Sequence, residues 1–185
     1  AGEARGRTIV APKGQDTRPT QDYVRESLFN ILRLDVPDAK VLDLFAGSGA
    51  LALEAVSRGA VSAVCVDCAP DAIACIRRNV ETLRMDDRVT VLRADWQPAL
   101  SRLARENAQF TLVFLDPPYR MGDLGSLCRQ LAEQGLLAPD ALLVVEHSRN
   151  FPPTPGTAFI QRDTRRYGDT EIHFFTYQGG ENNRA

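Results

Sequence analysis

The chain has 185 residues, of which 44% are hydrophobic and 25% are charged, and its formal net charge is -2. These values are typical of a single globular domain with one hydrophobic core, and they exclude a protein that binds nucleic acid through overall positive charge. No apolar run reaches the roughly 18 residues of a membrane span, and no signal-peptide pattern opens the chain, so we expect a cytoplasmic protein without a membrane partner.

The first 39 residues differ from the rest of the chain. They begin with a polar, glycine- and arginine-containing stretch, and Arg18-Pro19-Thr20 introduces a helix predicted over 21–32. Val24, Leu28 and Ile31 or Leu32 form an apolar stripe on that helix. We therefore expect one domain over 1–185, with 1–39 as an appendage that packs on the sheet domain. The first residue is not methionine, which we interpret as trimming of the start.

From Lys40 onward, short apolar runs alternate with helical patterns. Strands are predicted over 40–44, 63–67, 89–92, 110–115 and 141–146, and helices over 48–58, from Pro70 onward, over 98–105 and over 124–134. The runs are nearly continuous in Val, Leu and Ile, as in parallel strands covered on both faces. Strands over 159–162 and 171–177 predict a terminal antiparallel hairpin. The fold class predicted is therefore α/β, a doubly wound, Rossmann-like sheet of seven mostly parallel strands.

A glycine loop follows the first predicted strand. It reads Asp43-Leu44-Phe45-Ala46-Gly47-Ser48-Gly49, and Asp67 ends the second strand 20 residues after Gly47. Ligands of doubly wound sheets bind beyond the carboxyl ends of the strands, where glycines permit close approach and an acid can bind ribose hydroxyls. With Ala52 in third place the loop also fits G-x-G-x-x-A, so a nicotinamide enzyme remains an alternative.

Two features favour S-adenosylmethionine over a dinucleotide. Asp43, at the end of the first strand, suits the amino group of a methionine moiety and would repel a pyrophosphate. Asp95-Trp96 follows the third strand and offers an acceptor for an adenine amino group beside a large apolar surface. Trp96 is equally compatible with ordinary core packing.

The fourth predicted strand ends in Phe114-Leu115-Asp116-Pro117-Pro118-Tyr119. Neither proline has an N–H for a sheet ladder, and the first one holds Asp116 extended. The motif presents a carboxylate, a carbonyl and an aromatic ring at a rigid strand end. Read alone, it is equally compatible with a strand terminator whose acid faces solvent.

The four cysteines, Cys65, Cys68, Cys75 and Cys128, fall in segments predicted to be strand or helix. Cys65 and Cys68 form a lone CxxC with no second pair, and His147 and His173 are distant in sequence. We therefore expect small buried thiols in a reducing cytosol and no metal site.

Taken together, DLFAGSGAL at 43–51, VD at 66–67, AD at 94–95 and DPPY at 116–119 resemble a class I methyltransferase of exocyclic amino groups. With RPTQDYVRESLFNIL at 18–32 and RYGDTEIHFF at 166–175, the chain resembles the RsmD family of bacterial 16S rRNA guanine-N2 methyltransferases. The resemblance covers nearly the whole chain, and it implies that the appendage over 1–39 contacts RNA and covers the cofactor. Tyr23 stands where relatives usually have arginine, and the first residues of the family's N-terminal strand are missing.

The resemblance implies transfer of a methyl group from S-adenosylmethionine, without a metal, to N2 of a guanine in 16S rRNA or the small ribosomal subunit. It implies a monomer with catalytic residues Asp116, Pro117, Pro118 and Tyr119. The cofactor-binding residues implied are Thr20, Arg25, Phe29, Asp43, Phe45, Ala46, Gly47, Ser48, Gly49, Asp67, Cys68, Asp95 and Trp96. Phe29 is equally compatible with a core role, and Arg25 with an ion pair to Asp22.

The chemistry of the motif agrees with this resemblance. The lone pair of an aromatic exocyclic amine is delocalised into the ring, and two acceptors, Asp116 and the Pro117 carbonyl, would favour a more tetrahedral nitrogen. Tyr119 can stack on the base, which must leave its own stack. Local basic residues available for phosphates are Arg5, Arg7, Lys13, Arg18, Arg165 and Arg166.

Several other functions remain open. They are methylation of adenine N6 in DNA or another RNA, methylation of a protein glutamine, nicotinamide-dependent oxidoreduction and catalytically silent RNA binding. Asp116 argues against the glutamine enzymes, which usually have asparagine before the two prolines. A nicotinamide enzyme or a silent binder would leave the DPPY motif unexplained.

Overall fold

The structure is a computed structural model that describes residues 2–11, 19–118, 121, 123–148, 150 and 152–179, with the backbone alone described for 19–20. Helices and strands alternate through most of these residues. In chain order the elements are α1 (Pro19–Ile31), β1 (Lys40–Asp43), α2 (Ala50–Ser57), β2 (Ser62–Asp67), α3 (Pro70–Leu83), β3 (Val89–Arg93), α4 (Trp96–Arg105), β4 (Phe110–Leu115), α5 (Leu124–Glu133), β5 (Leu137–Ser148), β6 (Phe159–Tyr167) and β7 (Thr170–Tyr177).

The strands form a seven-stranded sheet in the order β3-β2-β1-β4-β5-β7-β6. β1 and β3 each pair in parallel with β2, and β4 pairs in parallel with β5. β7 pairs antiparallel with both β5 and β6. The predicted fold class is confirmed, including the terminal hairpin. None of the described helices combines the length and apolar character that crossing a bilayer requires.

Residue contacts divide the chain into two compact units, 1–96 and 97–185. In the first unit, β1 and β2 are rich in buried aliphatic residues, which suits strands covered on both faces. Pro70 opens α3 at a position where its missing N–H costs nothing. The helix ends at Leu83, and the following residue, Arg84, adopts a left-handed conformation. The apolar face of α3 contributes to the core through Ile73, Ile76, Val80 and Leu83.

In the second unit, two strands are longer than the sequence indicated. β5 begins at Leu137 rather than at 141, because residues on both sides of Pro139 and Asp140 continue the pairing with β4 across a shift in register. β6 continues to Tyr167 through a polar stretch that pairs with β7 up to the turn at Gly168. Polar side chains on an exposed edge strand weaken the apolar alternation by which strands are recognised.

Candidate active site

The glycine loop of the first unit connects β1 to α2. Gly47 and Gly49 both have positive φ, 58° and 80°, which other residues rarely adopt. A Cβ at Gly47 would meet no atom within 4 Å, whereas one at Gly49 would lie 3.3 Å from Ile76 Cγ2. Gly49 is therefore favoured both by its positive φ and by its close approach to α3, and Gly47 borders open space that a ligand can occupy.

Asp67 fixes the shape of this loop. Its Oδ2 accepts a hydrogen bond from Gly47 N at 2.9 Å, and its Oδ1 accepts one from Ala69 N at 2.9 Å. Each carboxylate oxygen can accept a further bond, so ribose hydroxyls remain possible partners. The sequence suggested the ribose contact and missed the bond to the loop backbone.

Other predicted cofactor residues of this unit lie near the carboxyl ends of its strands. Asp43 is buried at the end of β1, and Ala46 is bound to β2 because its N–H donates to Val66 O at 2.9 Å. Asp95 is exposed just after β3, and Trp96 is half-buried at the start of α4. Phe45 and Ser48 in the loop are also half-buried. The donor and acceptor set, two acids beside a glycine loop and a ring, fits an adenosyl group with a cationic methionine end.

The prediction of four buried thiols was wrong for Cys68. Cys65, Cys75 and Cys128 are buried, but Cys68 is exposed because β2 ends at Asp67 and leaves the next residue in the loop. Loss of hydration raises the pKa of the Cys68 thiol, and the carboxylates of Asp67 and Asp95 raise it further. Cys68 is therefore held as a neutral thiol that contacts Asp95.

The predicted cofactor residues of α1 have partners within the protein. Phe29 is fully buried, and the Arg58 guanidinium lies 5.1 Å from the centre of its ring. Arg25 forms an ion pair with Asp22 at 3.1 Å, the alternative considered from the sequence. Tyr23 is 68% exposed. The side chain of Thr20, and all of Lys13, Arg18 and Tyr119, lie outside the described residues.

Asn79 is a buried residue of α3 that the sequence did not single out. Its side-chain amide donates to Val10 O and to Ser48 O, each at 2.9 Å, and its Oδ1 accepts from Val10 N at 2.7 Å. Asn79 thus joins the N-terminal segment to the glycine loop. Its position on the apolar face of an amphipathic helix was the available signal.

The second unit carries the DPPY motif. Asp116 follows the last residue of β4, and the carbonyl of Pro118 accepts from Met121 N at 2.9 Å. Among the hydrogen bonds of the described residues, none uses the Pro117 carbonyl. Asp116 is accessible to solvent, yet protein atoms surround its carboxyl group closely enough that lost hydration raises its pKa to about 6. The two observations agree because the exposed fraction is a property of the whole residue, whereas the pKa depends on the surroundings of the carboxyl group alone.

Asp116 has a second acid beside it. In the parallel pairing of β4 with β5, Leu115 lies opposite Val145, so Asp116 and Glu146 are the next pair on one face. Their carboxyl groups are hydrogen-bonded to each other. Burial raises the pKa of Glu146 to about 8, and the charge of Asp116 contributes to the shift. The sequence placed Glu146 at the end of a strand but assigned it no role.

The two histidines belong to an ionic cluster that joins three strands. Glu171 in β7 forms an ion pair with Arg166 of β6, with 2.9 Å between Glu171 Oε1 and Arg166 Nε. Its other carboxylate oxygen, Oε2, lies 3.2 Å from His173 Nε2. His147 in β5 packs on His173 with ring centres 4.6 Å apart. Burial lowers the pKa of His173, so its imidazole is neutral at pH 7. Each of the two rings offers one nitrogen within 4.8 Å of a Glu171 oxygen, and Arg166 supplies the cation that pairs with that carboxylate.

The predicted RNA-binding residues differ in whether they form hydrogen bonds or ion pairs within the protein. Arg5 is exposed, while Arg7 donates to Leu83 O at 3.3 Å. Arg165 pairs with Asp163 at 3.0 Å and Arg166 with Glu171. Because Arg165 lies opposite Ile172, and Ile172 opposite Glu146, Arg165 is on the same sheet face as Glu146, and Arg166 is on the other.

Comparison with known proteins places the chain in a family. The family described as "Conserved hypothetical protein 95" matches residues 1–176. Ribosomal RNA small subunit methyltransferase D from Escherichia coli strain K12 is 37% identical over 164 residues, which are 88% of this chain and 81% of that protein. YlbH from Bacillus subtilis strain 168 is 36% identical over 181 residues, 97% of this chain and 98% of YlbH.

The solved structure of yhhF from Escherichia coli superposes with a TM-score of 0.85 at 34% sequence identity, and the match covers 97% of each chain. The matches thus extend over nearly the entire sequence and the entire fold, glycine loop and DPPY motif included. The chain therefore belongs to the RsmD family, and its fold is that of the class I methyltransferases.

Proposed function

We propose that this protein transfers a methyl group from S-adenosylmethionine to the exocyclic N2 of a guanine in the RNA of the small ribosomal subunit. The observation that carries the proposal is the strand end at Asp116-Pro117, which brings a carboxylate and the backbone carbonyl of the next residue to the end of β4. Membership of the RsmD family, whose Escherichia coli relative is an rRNA small subunit methyltransferase, supports the choice of substrate.

The residues at this strand end act on the amine. Asp116 and the Pro117 carbonyl accept its two N–H bonds, which favours a tetrahedral nitrogen whose lone pair is directed away from the ring. The two prolines fix the acceptors before the base arrives, so little orientational entropy is lost in the transition state. Tyr119 is proposed to stack on the base, a contact worth about 1–3 kcal/mol.

S-adenosylmethionine supplies the electrophilic methyl group on a sulfonium when it is bound. We propose that Asp67 binds the ribose hydroxyls, Asp95 with Cys68 and Trp96 the adenine, and Asp43 the amino group of the methionine end. Phe45, Ala46, Gly47, Ser48 and Gly49 would contact the cofactor along the loop, and Thr20, Arg25 and Phe29 would lie toward its methionine end. The reaction requires the target amine and the methyl group in line at near-contact distance.

The decisive experiment measures methyl transfer from labelled S-adenosylmethionine to small ribosomal subunits from a strain that lacks the enzyme. Deproteinised rRNA from the same strain is tested in parallel, and the products are digested to nucleosides. Label in N2-methylguanosine is the expected result. Label in N6-methyladenosine would contradict the proposed base, and transfer to neither RNA would contradict the proposed substrate.

The Asp116→Ala variant tests the proposed catalytic role. We expect methyl transfer to fall below detection, because the amine loses its charged acceptor, while the affinity for S-adenosylhomocysteine, measured by calorimetry, stays close to that of the wild type. The affinity measurement also serves as the control for correct folding. Normal turnover in this variant would contradict the mechanism.

A further inference from the structure

Two carboxyl groups meet at the carboxyl ends of β4 and β5. The register between these strands makes Asp116 and Glu146 neighbours on the same face, one residue beyond the pair Leu115 and Val145. Glu146 is half-buried. The two side chains are bonded to each other rather than to cations, which is unusual for acids on adjacent strands because like charges repel.

A hydrogen bond between two carboxyl groups requires a proton on one of them. Loss of hydration raises the pKa of both acids, to about 6 for Asp116 and about 8 for Glu146, and the charge of Asp116 adds to the shift of Glu146. Between these values the pair holds one proton and one negative charge, as close carboxyl pairs do in other enzymes. Glu146 is less exposed than Asp116, and burial disfavours the charged form of an acid, so the shared proton favours Glu146.

The surroundings of Glu146 leave Asp116 as its principal electrostatic partner. On β7, Ile172 lies opposite Glu146, while Glu171 and His173 lie opposite His147 and Val145, on the other face. On β6, Arg165 shares the face of Glu146 but is separated from it by Ile172 and is paired with Asp163. Among the described residues, Asp116 is the charged group that shifts the pKa of Glu146.

We propose that Glu146 is a positioning residue for methyl transfer, which in its protonated form donates a hydrogen bond to one oxygen of Asp116 and leaves the other for the target amine. This role rests on the function proposed above. Held by Glu146, the Asp116 carboxylate keeps a fixed orientation at the end of β4, and the pair keeps a single negative charge. A second charge would repel the first and weaken the alignment of the acceptor.

The same arrangement accounts for the proton that the reaction releases. When N2 bonds to the methyl carbon, the carbon–sulfur bond breaks with its electrons remaining on sulfur, and the nitrogen becomes acidic. One N–H proton then passes to Asp116, whose pKa near 6 makes it a better acceptor than an ordinary aspartate. Glu146 keeps its own proton throughout. The pair returns to its starting state when Asp116 releases the new proton to water.

The test compares pH profiles of single-turnover methyl transfer for the wild type, Glu146→Gln and Glu146→Ala. The wild-type rate should rise through about pH 6 as Asp116 ionises and fall above about pH 8 as Glu146 loses the donated proton. Glutamine still donates through its amide, so Glu146→Gln should retain most of the activity and lose the alkaline limb. Glu146→Ala should be slower by about 10- to 100-fold, as expected for a lost charge-assisted hydrogen bond.

Glu133→Gln, on the exposed end of α5, is the matched control and should leave the profile unchanged. An alkaline limb that persists in Glu146→Gln, or equal loss of activity in both Glu146 variants, would overturn the proposal. A wild type that forms no N2-methylguanosine would instead defeat the proposed function. In that case ¹³C NMR titration of Glu146 in the free protein still tests whether Glu146 holds a proton beside Asp116. A pKa of Glu146 near 4.5 would contradict the shared proton. A pKa near 8 that falls in the Asp116→Ala variant would support it.

Discussion

At the scale of single residues, one acid can have a structural and a binding role at the same time. Each carboxylate oxygen of Asp67 accepts one hydrogen bond from a backbone N–H group, one from Gly47 and the other from Ala69. These bonds hold the glycine loop in the conformation that borders open space at Gly47. Each oxygen retains a lone pair for the ligand that the loop is proposed to bind. The loss of this carboxylate would therefore affect the ligand twice, through its own contact and through the loop.

We expect Asp67→Ala to weaken binding of S-adenosylhomocysteine by roughly 1–3 kcal/mol, about 5- to 150-fold in Kd, because charge-assisted bonds are lost from loop and ligand. Calorimetric titration measures the change. Asp86→Ala, which removes an exposed acid from the same unit, is the control and should bind normally. Unchanged affinity in Asp67→Ala would place the ribose elsewhere.

At this scale the sequence predicted which residues lie at the strand ends and missed contacts that depend on a neighbouring strand. The position of Asp116 at the end of β4 followed from the prolines, and that of Asp67 from the end of the β2 pattern. The partnership with Glu146 requires the register of β4 against β5, which a single sequence does not contain. Two acids that each end a parallel strand were, in hindsight, the available signal.

At the scale of elements, α3 does more than cover the sheet. Asn79 is fully buried, and its side chain makes three hydrogen bonds to the backbone, two with Val10 and one with Ser48. A buried amide of this kind is stable only because all of its partners are in place. The helix thereby couples the segment that begins the chain to the loop predicted to hold the cofactor.

We expect Asn79→Ala to lower the free energy of unfolding by about 2–4 kcal/mol, because partly buried backbone groups of Val10 and Ser48 lose their partner and the fully buried site loses side-chain volume. Denaturant unfolding measures this loss, and limited proteolysis should show faster cleavage within residues 2–11. Thr82→Ala, on the exposed side of the same helix, is the control for helix propensity. Equal stability of the two variants would contradict the coupling.

Elements with a strong apolar period were predicted within a few residues, as the agreement for β4 and α3 shows. The errors occur where polar residues take part in regular pairing. β5 runs through Pro139 and Asp140, and β6 through Arg165 and Arg166, where tertiary pairing rather than propensity maintains the strand. The ionic cluster around Glu171 was not predicted from the sequence either, because it forms only when three strands are in register.

At the scale of the whole molecule, a net charge of -2 means that the proposed RNA substrate would be attracted by particular cations rather than by the overall field. In the second unit the strand register aligns Asp116, Glu146, Ile172 and Arg165 across one face of the sheet. Arg165 is half-exposed beyond its pair with Asp163 and lies two strands from Glu146. Arg166 points to the opposite face and is bound to the buried Glu171.

This asymmetry predicts that neighbouring arginines contribute unequally to RNA binding. We expect Arg165→Ala to weaken binding of small-subunit rRNA several-fold and to reduce the slope of log K against log salt by about one, because one phosphate contact is lost. Arg166→Ala is the matched control: it should leave the salt slope nearly unchanged and instead lower the unfolding temperature, since Glu171 and the histidines lose their cation. Filter binding at several salt concentrations, with thermal unfolding of both variants, separates the two effects. Equal salt slopes in the two variants would show that the face carrying Asp116 and Glu146 is not the one that meets the RNA backbone.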